Sequence, residues 1–124
     1  MNKYRDKSDF EINKAVAVAI GAKPFPPERT EFKQCEIPGL ENAIIVKITG
    51  VKTGLFDPCN NPADAMPIVI RSLISLISDK SDDGESAWWV AQDVTGSIAS
   101  GLKSNPYRAA MEVFLMMKDA ENES

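Results

Sequence analysis

Apolar residues recur at Ile12, Ala15, Val16, Ala19 and Ile20, the spacing of one helical stripe. Ser8-Asp9-Phe10-Glu11 precedes them as a capping box, with the Ser8 hydroxyl placed to accept from the Glu11 amide. Gly21 is a good C-terminal cap, so the pattern predicts a first helix from about Asp9 to Ile20. A second stripe joins Ala63, Met66, Val69, Ile70 and Leu73. Asn61 stands ready as its N-cap, Pro62 at its first position and Asp64 near the positive end of its dipole. Pro67 lies beyond the first turn and should tighten or kink this helix. Asn105-Pro106 repeats the cap, ahead of Tyr107, Ala110, Met111, Phe114 and Leu115, for a third helix ending near Asp119.

Between the helices the period changes. Ile44, Ile45, Val46 and Ile48 form a β-branched run over Ala43 to Ile48. Ile74, Leu76 and Ser78 alternate with Ser75, Ile77 and Asp79, Asp82-Asp83-Gly84 is turn chemistry, and Ala87 to Ala91 returns as the second strand of a hairpin. Residues 22–42 read as irregular around Pro24, Pro26, Pro27 and Pro38, with a short edge strand at Glu31 to Ile37. Thr49 to Gly54 reads as a turn, Leu55 and Phe56 as the start of an extended piece, and Gly96 to Ser104 as a linker. Residues 1–7 read as a polar N-terminal arm and 120–124 as a frayed tail. The expectation is one α+β domain over 1–124, with about three helices around a short antiparallel sheet.

The third helix carries Ala109, Val113, Met116 and Met117 outside its main stripe. An apolar surface that wide must be covered on more than one side, by the core or by another subunit, and a homodimer is one way to cover it. Trp88 and Trp89 are neighbours on a strand and so point to opposite faces. Two covered faces make both rings core; one open face leaves a ring as a contact patch. Trp88, Trp89, Val113, Met116 and Met117 are therefore the candidate contact residues.

The chain has 124 residues and no histidine. That length suits a single core. The missing histidine excludes a Ser-His hydrolase and the commonest zinc sites. Fourteen basic and eighteen acidic residues leave a net charge of −4, poorly suited to a phosphate backbone. The one basic cluster, Lys3, Arg5 and Lys7, is the candidate nucleic-acid arm, set against its reading as a solvated surface. Cys35 and Cys59 form no disulfide framework, no apolar leader precedes them, and the apolar segments fall short of the ~20 residues of a membrane span, so a reducing cytoplasm and free thiols are expected. Gly96 to Ser104 nearly spells a phosphate loop, but Leu102 intervenes between Gly101 and Lys103. Asp79, Ser81, Asp83 and Gly84 fit half of a calcium loop whose twelfth position is Val90 instead of glutamate. No metal, cofactor or catalytic residue is assigned.

Ser8 to Lys14, Phe56-Asp57-Pro58-Cys59-Asn60-Asn61-Pro62-Ala63-Asp64-Ala65-Met66-Pro67-Ile68, and Asn105-Pro106-Tyr107-Arg108-Ala109-Ala110-Met111 with Phe114-Leu115-Met116-Met117 resemble the NinX-like proteins of lambda-like bacteriophages. The resemblance implies a phage or prophage accessory protein in the cytoplasm of the bacterial host and an α-β-α sandwich-like fold, and it supplies no catalytic residues. Two expectations follow: a non-enzymatic role through contacts with a host or phage protein, and, as the alternative, nucleic-acid binding in phage DNA metabolism.

Overall fold

The computed structural model describes residues 2–123. Along the chain run α1 (Asp9–Ala19), β1 (Lys23–Pro24), β2 (Ile44–Ile48), β3 (Lys52–Phe56), α2 (Pro62–Arg71), β4 (Ser75–Lys80), β5 (Ala87–Gln92) and α3 (Pro106–Asn122). The α+β expectation holds: three helices accompany antiparallel strands. The strands are divided between two small sheets, β1-β2-β3 and the hairpin β4-β5. Sequence periodicity reports the strands but not their partners, so this division was not foreseen.

α3 is the element on which α1, α2 and the β4-β5 hairpin pack. It touches β5, α1, α2 and β4. Every residue from Ala109 to Leu115 is buried. The wide apolar surface of this helix is thus consumed inside the chain, by the two helices and the hairpin, and no second subunit is needed to cover it. α1 also packs on β2, where Ile44 and Val46 meet Ile12 and Val16 in one core cluster.

Several boundaries differ from the sequence pattern for local reasons. Thr49 to Val51 alone make the turn, and Lys52–Phe56 pairs in full with β2, Ile44 opposite Phe56 and Val46 opposite Gly54. The polar Lys52-Thr53-Gly54 run hid this strand. Glu31 to Ile37 contributes one bridge, Gln34 to Ile44, whereas Lys23 and Pro24 pair with Lys47 and Val46. α2 runs through Pro67, which lies on its exposed side. α3 extends to Asn122, so of the supposed frayed tail Ala120 to Asn122 are helical and Glu123 is the cap; Ser124 lies outside the described residues.

Residues 2–7 are a docked turn, not a solvated arm. Tyr4 is buried, and its hydroxyl donates to Asp119 at the far end of α3. Arg108 holds the segment by its backbone, donating from Nη2 to the carbonyls of Tyr4 (2.9 Å) and Lys7 (2.7 Å). The same guanidinium meets Asp9 at 2.6 Å and the fully buried Glu112 at 2.7 Å. Glu112 also receives Asn2 Nδ2 at 2.6 Å and lies 3.1 Å from Lys103 Nζ. Burial alone would lower the Arg108 guanidinium, but its hydrogen bonds to Asp9 and Glu112 hold it above its ordinary value. Removing one partner of such a pair leaves a buried charge without compensation. Arg108→Met should therefore cost about 3–5 kcal/mol, and adding Glu112→Leu should restore much of it. Urea unfolding of both variants measures this.

Candidate functional site

Two places gather unusual residues. The first is polar. Asn13, fully buried in α1, donates from Nδ2 to the Asn42 carbonyl (2.8 Å) and to Asp57 (2.6 Å), and its Oδ1 accepts from the Cys59 amide (3.1 Å). Asn105 caps α3 by accepting from the Tyr107 and Arg108 amides, and its Nδ2 donates to the Cys59 carbonyl at 2.6 Å. Asn61 caps α2 through the Ala63 amide. Asp64 accepts from the Asp57 amide and from Lys52, each at 2.9 Å. The segment 57–64 is thereby tied to the N-terminal ends of all three helices.

Each acid here has a fixed partner: Asp9 has Arg108, Asp57 has Asn13, Asp64 has Lys52 and Glu112 has Arg108. No buried side-chain nitrogen or oxygen among the described residues lacks a hydrogen bond. Such a network fixes geometry. Among the described residues no group of three or more acids or thiols is placed to hold a metal ion. Cys35 and Cys59 are both buried and unpaired. Burial, and then the charge of Asp9, pushes the Cys59 thiol well above its usual range.

The second place is apolar and exposed. Met66, Val69, Ile70, Leu73, Ile74, Ser75, Leu76 and Val94 line a shallow groove of about 520 Å³ between the end of α2 and the base of the β4-β5 hairpin. Ile70 is 67% exposed, Leu73 64% and Val94 70%. The turn that positions Leu73 is informative. After α2 the Leu73 amide donates to the Ile70 carbonyl and the Ile74 amide to the Val69 carbonyl, the paired bonds of a Schellman motif. After α1 the same pair recurs, Gly21 to Val18 and Ala22 to Ala17. Both motifs need a left-handed residue at their turn. α1 uses glycine (φ 80°), and α2 uses leucine (φ 57°), the one described non-glycine residue with positive φ. A side chain there costs on the order of 1 kcal/mol, and this one gains little burial in return. Strain of this kind, kept with an exposed apolar side chain, points to use of that side chain.

The residues singled out by sequence fall out as follows. Val113 is fully buried and cannot serve a contact surface of the folded chain; Met116 and Met117 are half-buried against the core. Trp88 and Trp89 are both half-buried, so neither is a full core residue. Leu76 and the buried Ala91 mark the inner face of the hairpin, which by alternation is shared by Trp89. Trp88 belongs to the outer face with Val90 and the 47%-exposed Ile77. Lys3, Arg5 and Lys7 lie on the docked turn; Lys3 faces Asp119 at 3.3 Å, and Arg5 and Lys7 are exposed. Periodicity counts Leu73 in the α2 stripe, and nothing in the sequence pattern marks Val94. Periodicity could not show that the helix stops at Arg71 and turns the leucine outward.

The family model described as Bacteriophage P22, NinX matches residues 3–118. The chain belongs to the NinX family. No curated protein and no solved structure matches it. The NinX match includes Asn13, Asp57, Cys59, Asp64 and Asn105 of the polar network and the apolar groove. The segments that resemble the family in sequence, 8–14, 56–68 and 105–111, are those the network ties together.

Two outcomes are expected. Leu73→Gly should stabilise the protein by about 1 kcal/mol, read as a higher Tm, because it relieves the left-handed strain. Cys59 should resist a thiol reagent until the protein unfolds. Its raised native pKa means that the unfolded chain releases the proton first, so stability should fall as pH rises above about 8.5; Cys59→Ala should flatten that decline in urea titrations from pH 7 to 10.

Proposed function

We propose that this NinX-family chain is a non-enzymatic phage accessory protein that works in the host cytoplasm by binding another protein, of the host or of the phage. The observation that carries the reading is the exposed Ile70, Leu73 and Val94 cluster, with Leu73 held in a strained conformation that glycine would relieve. Contiguous apolar surface on a small domain is characteristic of contact sites. A chain without histidine, whose polar network bonds Asp9, Asp57, Asp64 and Glu112 to fixed partners, supports binding over catalysis. No helix among the described residues is long and apolar enough to cross a membrane. The docking of residues 2–7 and the net charge of −4 give the nucleic-acid alternative no added support.

A photo-crosslinking amino acid in place of Ile70 or Val94, introduced during phage infection, should yield one discrete protein adduct. The same probe at Val18 or Val51, which are as exposed (64% and 73%) but outside the groove, should not. Equal labelling from all four positions, or none, would remove the groove from consideration.

A further inference from the structure

We infer that the partner presents an extended segment, apolar at one end and basic at the other, which adds as a third strand to the free edge of β4. This deepens the protein-binding reading and rests on it. The other edge of the hairpin is already used: the Trp89 amide donates to the Lys103 carbonyl, and the Ala91 amide to the Ser100 hydroxyl. No described segment pairs with the outer edge of β4. Ser81 donates to the Ser86 carbonyl within the hairpin, in the register that sets Ser78 opposite Trp89 and Leu76 opposite Ala91. Alternation then turns the amides and carbonyls of Leu76, Ser78 and Lys80 outward. The Lys80 amide is taken by the Asp79 carboxylate at 2.8 Å, which leaves the Leu76 and Ser78 positions open.

Natural edges are usually blunted by charge, proline or a bulge. From Ser75 to Ser78 this edge has none of these. Its two ends differ sharply. At the Ser75 end lies the groove of Met66, Ile70, Leu73 and Val94. At the Lys80 end the strand runs into a tip carrying Asp79, Asp82, Asp83 and Glu85, all exposed, against one lysine. An added strand would gain main-chain hydrogen bonds along the edge, bury apolar side chains at one end and meet opposite charge at the other. A second copy fits poorly. Antiparallel self-pairing lays the acidic tip of each chain over the apolar groove of the other.

The test uses the full chain and two labelled nine-residue peptides of alternating valine and threonine. Each has two lysines at one end and leucine-isoleucine at the other, in the two opposite orders. Matched controls carry glutamates in place of the lysines. One lysine peptide should bind with a Kd below about 1 mM, weaken with salt, and protect the Leu76 and Ser78 amides from hydrogen exchange. Ser78→Pro removes an outward amide that the β4-β5 ladder does not use, so the fold is retained by circular dichroism while binding falls at least about tenfold. Leu73→Gly should weaken binding, and Asp82→Asn with Asp83→Asn and Glu85→Gln should erase the salt dependence. Absence of binding by either lysine peptide, binding without amide protection, or equal binding of the glutamate controls overturns the inference. So does a dimer of the protein that Ser78→Pro dissolves, which would make the occupant a second copy. If the adducts formed from position 70 survive Ser78→Pro unchanged, strand addition fails while the groove remains a contact site; if no adduct forms, the binding reading itself fails.

Discussion

A carboxylate with no exposure to solvent, Glu112, sits in the middle of the helix on which α1, α2 and the β4-β5 hairpin pack. Its charge has to be met by protein groups, because water cannot reach it. Arg108, one turn earlier, meets it, and having done so has donors left over for Asp9 and for two backbone carbonyls of the first seven residues. Lys103 and Asn2 complete the shell. One buried charge thereby determines where the start of the chain, the beginning of α1 and the approach to α3 must lie. The Asn13 and Asn105 bonds extend the same constraint to the segment between β3 and α2.

This arrangement explains which parts of the molecule could be read from sequence. The three helices were legible because their caps and stripes are local: Ser8, Asn61 and Asn105 bond within three residues of themselves. The β4-β5 hairpin was legible from alternation around an acidic turn. The polar network was not, because the bonds that tie α1 and the start of the chain into it join residues 29 to 115 positions apart, and a helical glutamate or asparagine looks the same in sequence whether it faces water or the core. Asn13 lies beside the Ile12 stripe, and Glu112 reads as one of the few solvent residues of α3; both are fully buried.

The apolar excess of the molecule was likewise visible, but its location was not. Sequence placed it on α3, which carries the most apolar side chains; packing hides that helix among α1, α2 and the hairpin. Among the exposed apolar side chains, Ile70, Leu73 and Val94 lie together along one groove, Leu73 exposed because the helix ends two residues before it and the chain reverses there. A stripe drawn at helical period continues past the point where the backbone leaves the helix, so it counts Leu73 as inward when the backbone has already turned it out. The contrast with Gly21, at the same point of the same motif, identifies this as a departure from the cheaper solution.

The bonds from Asn2 to Glu112 and from Tyr4 to Asp119 have a consequence during synthesis. Asn2 and Tyr4 acquire these partners only after more than a hundred further residues have been made. At about 5–20 residues per second, that takes on the order of 10 s, during which Ile12 and Val16 can meet Ile44 and Val46 of β2 but not the side chains of α3. The contacts that α1 and residues 2–7 make with α3 are thus the late ones, and until they form these segments stay open to chaperones and to premature association.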